Sequence, residues 1–185
     1  MSSTVAEFPD TYTDIPTALL ISAYGAGPAR LRTALADLDG YALSARPRPG
    51  KWSIREIALH LTDSELVGVG RIRLTFAQPG AAYYVYDENI WARAHAYQEA
   101  DAPAVERPVS LFQSLRAATL PLSAAATSVQ WRHAGLHPER GTVTLRNLLE
   151  LYADHSERHL EQILECRRRI GAPVELIPIL ERRLY

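Results

Sequence analysis

The stretch "LYADHSERHLEQI", residues 151–163, decides the fold class, because it continues a long helical pattern in which histidines replace apolar residues. Six residues recur at alternating steps of four and three along this pattern: Leu148, Tyr152, His155, His159, Gln162 and Cys166. That spacing is typical of a helix face that packs inside a bundle. The imidazoles of His155 and His159 therefore lie on the face that we expect to be buried.

Capping residues, prolines and glycines divide the rest of the chain into long helical segments. The first covers residues 16–38, and we expect a kink or break in it at Gly25-Ala26-Gly27-Pro28. The second begins at the capping box Ser53-Ile54-Arg55-Glu56, in which the Ser53 side chain accepts a hydrogen bond from the Glu56 N–H. It ends before "QPG" at residues 78–80.

Two further long helices follow a long connection, residues 79–108, which is expected to hold a short helix from about 87 to 97. The third long helix begins at a capping box on Ser110 and runs to about residue 128. The fourth spans Thr144 to Ile170, and a short final helix is predicted within 174–185. Because no segment shows a convincing strand alternation, the pattern predicts an all-α four-helix bundle with a long connection between helices 2 and 3.

Length and composition exclude several classes of protein. The 185 residues fit one domain, residues 16–185, preceded by a loose arm over residues 1–15. The net charge of −1 argues against general nucleic-acid binding, which needs a basic surface. No apolar run reaches the length of a membrane span, and the N-terminal residues do not resemble a signal peptide. With the single cysteine, Cys166, these features predict a cytoplasmic protein that binds neither nucleic acid nor membrane.

A third histidine, His60, lies in the middle of the second helix, on the same side as Ile57 and Leu61. His155 and His159 would place their Cβ atoms ~5–6 Å apart, close enough for both rings to bind one ion. The alternative is a set of core histidines that hydrogen-bond to their neighbours. Three neutral imidazoles with no fourth protein ligand would leave an open coordination position, as in catalytic sites, and nitrogen ligands suit Zn²⁺ or Ni²⁺ better than Mg²⁺ or Ca²⁺.

Three motifs, in this order and at this spacing, resemble the YfiT-like branch of the DinB superfamily. They are "KWSIREIALHLTDSE", "YDENIWA" and "HPERGTVTLRNLLELYADHSERHLEQI", within residues 28–170. The resemblance implies a four-helix bundle with a divalent metal held by three histidines, and it fits a homodimer. The implied ligands are His60, His155 and His159, the residues that the helix faces had already selected.

Three residues beside these histidines depart from the pattern of that family: Asp154, Arg158 and Gln162. Their roles stay open, and the specificity of this chain is expected to reside there. Asp63, one helical turn after His60, is part of the first motif that resembles the family, and it could orient a ligand ring or accept a proton. The alternative for Asp63 is an ordinary ion pair.

Four further side chains are expected to have a structural or a functional role. Glu88 lies in the long connection and is a candidate catalytic residue if that connection covers the metal site. Trp91 is expected to anchor the same connection on the bundle. Trp52 is predicted to be structural, as part of a hydrophobic staple before the Ser53 cap. His137 is expected to be a solvated loop residue, with an approach to the metal site as the alternative.

Together, the open position and the resemblance predict a metal-dependent enzyme. In one form, a thiol of the bacillithiol type binds at the metal, ionises and attacks a small-molecule electrophile. In another form, the enzyme is a hydrolase that uses a water molecule activated by the metal. A third interpretation is a non-catalytic, stress-related binding protein in which the metal is structural. We expect the thiol S-transferase, because the resemblance is to the YfiT-like branch.

Overall fold

The computed structural model describes residues 15–180, so the predicted arm lies outside the described residues except for Ile15. Four long helices dominate the described part: α1 (Thr17–Leu35), α3 (Ile54–Ala77), α5 (Ala102–Ala125) and α6 (Leu145–Arg169). Short helices α2 (Gly40–Leu43) and α4 (Glu88–Ala94) lie in the connections, with 3₁₀ turns at Tyr97–Glu99 and Gln130–Arg132. Helices α1 and α3 each pack against both α5 and α6, which confirms the predicted four-helix bundle.

Side-chain caps begin the two helices that carry the histidines. The Ser53 side chain accepts from the Glu56 N–H, and the Glu56 carboxylate accepts from the Ser53 N–H at 2.6 Å. At the start of α6, Thr144 and Asn147 form the same reciprocal pair, with the Asn147 N–H donating to Thr144 Oγ1 at 3.1 Å. Each cap satisfies N–H groups that have no partner within the helix and fixes where the helix begins. Both predicted starts are confirmed.

Two features of the other long helices differ from prediction. Helix α1 runs unbroken through residues 25–28, with Pro28 buried inside it, so the predicted alternative of a break is wrong, while a kink there stays a prediction. Helix α5 begins at Ala102 rather than at Ser110, because the Asp101 side chain accepts from the Ala104 N–H at 2.8 Å and caps the helix earlier. The Ser110 hydroxyl instead accepts a hydrogen bond from Arg32 on α1, at 3.0 Å.

The connection before α6 forms a β-hairpin that the sequence pattern did not predict. Strands β1 (Ala134–His137) and β2 (Gly141–Thr144) pair antiparallel, with Gly141 at a φ of 73° in the turn. Each strand has only four residues, too few to show alternation, and the pairing is extended by backbone hydrogen bonds between Leu136 and the connection after α3. The final helix predicted within 174–185 is absent from its described part, residues 174–180.

The bundle core divides into two apolar clusters with a charged pair between them. On α3, Ile57 and Leu61 belong to one cluster and Ile72 to the other. Between them, Glu65 accepts two hydrogen bonds from Arg116 of α5, at 2.9 and 2.8 Å, and both side chains are 1% exposed. The pair is well matched, since a buried charge without partners would cost several kcal/mol.

Neighbouring helices supply the remaining partners of the Arg116 guanidinium. It donates to the Tyr24 carbonyl at 2.7 Å, the Tyr152 carbonyl at 2.8 Å and the Ser156 hydroxyl at 2.6 Å. A Cβ at Gly27 would lie 2.3 Å from Arg116 Nη1, so only glycine fits there. The "GAGP" stretch therefore contains glycine to admit an arginine, and not to break the helix.

Among residues 15–180, no helix combines the length and the apolar character that a membrane crossing requires. Cys166 is buried in the second apolar cluster, as predicted for a small core residue.

Candidate metal centre

The structure brings His60 of α3 together with His155 and His159 of α6. The Nε2 atom of His155 lies 3.1 Å from the Nε2 atoms of both other histidines, and all three atoms fall within 4.8 Å of one another. Two nitrogen ligands of a tetrahedral ion with bonds of ~2.05 Å are ~3.3 Å apart. Two of the three distances are therefore close to the spacing that a single divalent ion requires, and the third histidine pair lies within 4.8 Å.

Partners of the other ring nitrogens favour metal binding over a hydrogen-bonded cluster. His159 Nδ1 lies 2.9 Å from Gln162 Oε1, an acceptor, so Nδ1 carries the proton and Nε2 presents its lone pair. The Tyr86 hydroxyl lies 3.3 Å from His60 Nδ1 and can accept its proton in the same way. Outer partners of this kind orient metal-binding histidines. The described residues thus fit a divalent ion held by three Nε2 atoms.

Burial keeps the three imidazoles neutral, which is the form that binds metal. Burial, and then the charge of His159, lowers the pKa of His60 to about 2. Burial also lowers the pKa of His159 to about 4, although its hydrogen bond with Gln162 acts in the opposite direction. The pKa of His155 falls well below its usual value through burial and the two neighbouring histidines. Protons therefore compete weakly with a metal ion at neutral pH.

Without metal, the protein is expected to lose stability as the pH falls below about 6.5, the usual pKa of histidine in an unfolded chain. Below that pH the histidines of the unfolded chain bind protons. The same histidines in the folded protein stay neutral until the pH falls to about 4 for His159 and about 2 for His60. Each such histidine lowers the free energy of unfolding by up to ~1.4 kcal/mol per pH unit. Urea unfolding at pH 7, 6 and 5 measures this loss. A variant with His60→Leu should show a shallower decline, and equal slopes in both proteins would contradict the assignment.

Substitution of Gln162 by leucine is expected to weaken metal binding about 10–100-fold, because loss of an outer hydrogen bond frees the His159 ring. The Gln162→Glu variant keeps an acceptor beside Nδ1 and should bind metal nearly as well as the wild type. Competition with a chromogenic chelator gives both affinities. An unchanged affinity in Gln162→Leu would show that Gln162 does not hold the ring.

Aromatic rings form the walls around the three histidines. The Trp52 ring centroid lies 4.6 Å from that of His60 and 6.2 Å from that of His159. The Tyr86 ring stacks on His60 at 6.4 Å and meets Trp91 at 5.0 Å. Trp52 is thus part of the site as well as part of the helix start, a role that its position before Ser53 did not reveal. Trp91 contacts Tyr86 and, at 5.2 Å, His95, both within the connection itself, so its anchoring on the bundle stays a prediction.

Two cavities reach the histidines, one at His159 and the other at His60 and His155. The larger, of about 570 Å³, is lined by His159, Gln162, Trp52 and the cationic side chains of Arg48 and Lys51. We call it the large cavity.

The second, which we call the small cavity, has about 130 Å³ and is lined by His60, His155, Arg71 and His137. Glu88, at the start of α4, lines both cavities. The prediction of a solvated His137 is wrong, since the hairpin places this ring, 8% exposed, beside the site.

The structure gives Asp63, Asp154 and Arg158 partners other than the three histidines, whereas Gln162 contacts one of them. Asp63 accepts hydrogen bonds from Tyr97 and from His95 Nδ1, the latter at 2.8 Å, and so holds the connection rather than a ligand ring. Asp154 and Arg158 form an ion pair at 2.6 Å and line a separate groove under the tail. Of the three residues that depart from the family pattern, Gln162 contacts a ligand histidine.

The fold and the three converging imidazoles define a helical-bundle protein with a candidate site for a divalent metal ion. A model of the DinB superfamily matches residues 23–163, and this chain belongs to that superfamily. The resemblance stated from the motifs is thereby confirmed.

Similar proteins are metal-dependent hydrolases by name. YfiT of Bacillus subtilis (strain 168) is 30% identical over 145 residues, which cover 78% of this chain and 80% of YfiT. A relative from Oceanobacillus iheyensis is 27% identical over 143 residues, 77% of this chain and 81% of its own.

Solved structures show the same architecture. The structure of YfiT from Bacillus subtilis, described as having an unusual four-helix bundle topology, matches with a TM-score of 0.80 and 28% identity, over 89% of this chain and 94% of YfiT. A mycothiol-dependent maleylpyruvate isomerase matches with a TM-score of 0.64 and 14% identity, over 84% of this chain and 63% of the isomerase. At that identity the second match shows the fold alone.

Proposed function

We propose that this protein is a metal-dependent thiol S-transferase in which His60, His155 and His159 hold a divalent ion, Zn²⁺ or Ni²⁺. The observation that carries this proposal is the meeting of two cavities at the three histidines. A transferase must hold two molecules at once, and the two cavities offer separate places for a thiol and an electrophile. Zinc and nickel are proposed rather than magnesium or calcium because all three candidate ligand atoms are nitrogens.

When bound, the ion supplies positive charge that favours the ionised form of a thiol at the site. The chain's own residues prepare the surroundings. Trp52 and Tyr86 pack against the His60 ring, and Gln162 keeps the His159 lone pair directed inward. Three cations and two carboxylates line the large cavity, and this small excess of positive charge suits an anionic thiol of the bacillithiol type: Arg48, Lys51, Arg169, Glu88 and Glu165. The small cavity then receives a small electrophile.

A hydrolase is the second candidate function, and Glu88 is the residue that favours it. Its carboxylate lines both cavities. Burial, and then the charges of Asp87 and Glu139, raises the pKa of Glu88, which makes the carboxylate a better proton acceptor. Water in place of the thiol would then be the nucleophile, in keeping with the names of the relatives.

One pair of assays tests the proposal. The protein is loaded with zinc or nickel and incubated with bacillithiol and monochlorobimane, or with 4-nitrophenyl acetate and no thiol. We expect metal-dependent conjugation that disappears with chelator and in the His155→Ala variant. Ester hydrolysis without conjugation would replace the transferase with the hydrolase. Bound metal without turnover in either assay would favour a binding protein with a structural ion.

We also propose a homodimer, on the strength of the family resemblance. Sedimentation velocity at several protein concentrations measures the mass in solution, and a single species of 20.6 kDa would reject the dimer.

A further inference from the structure

The small cavity contains a buried arginine with an unused hydrogen-bond donor. Arg71 is 6% exposed, and its Nη2 donates to the Tyr84 carbonyl at 3.2 Å while its Nη1 lies 3.4 Å from the Tyr152 hydroxyl. Within residues 15–180, its Nε–H has no acceptor. A buried donor without a partner destabilises a protein by about 1–3 kcal/mol unless a ligand or water accepts from it. An oxygen atom bound in the cavity would satisfy this group.

His137 also lines the small cavity and supplies a second donor. His137 Nδ1 accepts a hydrogen bond from the Glu139 N–H at 3.2 Å, so the proton of the neutral ring is on Nε2. Burial, and then the charges of Arg71 and Arg140, lowers the pKa of His137 to about 4, which keeps this ring neutral at pH 7. The structure shows no acceptor for Nε2 among the described residues, so the ring offers an N–H to a bound molecule.

We propose that the small cavity binds the carbonyl oxygen of an α,β-unsaturated carbonyl compound, with Arg71 Nε–H and His137 Nε2–H as the donors. This inference rests on the proposed transferase function and names the class of its electrophile. The donors lie in the same cavity as His60 and His155. The reacting carbon is then held next to the metal centre, where the thiol is expected.

The chemistry of thiol addition explains why two donors are needed. The thiolate sulfur forms a bond to the β-carbon, the π electrons of the C=C bond shift, and the carbonyl oxygen gains the negative charge of an enolate. A proton from water then adds to the α-carbon and restores the carbonyl, so no group leaves. Donors directed at the oxygen stabilise the charge as it develops. An alkyl halide places its negative charge on a departing halide and does not need them.

Two electrophiles of similar size separate this inference from the proposed function. Methyl vinyl ketone and allyl chloride are each incubated with bacillithiol and the zinc-loaded protein, and the uncatalysed rates are subtracted. The His137→Phe variant should lose about 100-fold in kcat/KM with the ketone and less than about threefold with allyl chloride. The His137→Gln variant, which keeps an N–H donor, should recover most of the ketone rate. His133→Phe, just before the same strand, is the matched control and should change neither rate.

A measurement without turnover completes the test. Long-range ¹H–¹⁵N spectra of the metal-free protein should show His137 protonated on Nε2, and a proton on Nδ1 would overturn the assignment. Equal losses with both electrophiles in His137→Phe would overturn the inference and leave the transferase in place. Conjugation of neither electrophile by the wild type would reject the proposed function and this inference with it.

Discussion

Replacing His155 with alanine is expected to abolish stoichiometric binding of a divalent ion. His155 is the central residue of the candidate site, because its Nε2 atom lies 3.1 Å from the Nε2 atoms of both His60 and His159. Loss of an outer partner alone weakens metal binding about 10–100-fold, so loss of this ligand should exceed about 100-fold. Elemental analysis after dialysis against a weak chelator measures the bound metal.

The control for this prediction is His95→Ala, which removes a half-exposed imidazole that contacts Asp63 and lies outside the three-histidine cluster. This variant should retain the metal of the wild type. Circular dichroism should show the same helix content in both variants, because the ligands sit on helices that the capping boxes and apolar clusters hold independently. Full metal occupancy in His155→Ala would reject the three-histidine site.

Replacing Glu65 with glutamine is expected to destabilise the protein by about 3–5 kcal/mol, the usual effect of breaking a buried ion pair. Glutamine has nearly the same size, so the change removes charge rather than volume. Arg116 would then remain charged and 1% exposed, next to the apolar clusters. Urea unfolding of the metal-free protein measures the difference in free energy.

An exposed pair provides the comparison for that experiment. Arg32 and Glu106 form an ion pair at 2.9 Å, with side chains 40% and 65% exposed. The Glu106→Gln variant should therefore lose at most about 1 kcal/mol. If the two variants lost similar free energy, Glu65 would not be the partner that neutralises Arg116.

Local patterns in the sequence predicted the parts of the fold that depend on neighbouring residues. The cap at Ser53 and the cap at Thr144 each need only a residue three positions on, and both helices begin there. The steps of four and three around His155 follow from helix geometry alone, so they placed His155 and His159 on one face. With the positions of the helices set, the convergence of His60 on that pair followed from the bundle.

The parts that were missed depend on residues far apart in the chain. Glu65 and Arg116 are 51 positions apart, and nothing local shows that they meet in the core. The hairpin that buries His137 is stabilised by pairing with the connection after α3, and its strands are too short to alternate. Trp52 looked like part of a helix cap because its contact with His60 appears only when the chain before the helix folds against it.

The helices and the connecting segments contribute different parts of the candidate site, which affects how related proteins can diverge in sequence. The three candidate ligand histidines lie in the interiors of α3 and α6, whereas connecting segments around residues 47–52, 86–89 and 137–140 supply much of the cavity walls, beside helix residues such as Gln162 and Arg71. Insertions and exchanges in surface segments are tolerated far better than changes inside packed helices. During evolution, the three histidines can therefore stay the same while changes in the connecting segments alter which substrates fit the cavities.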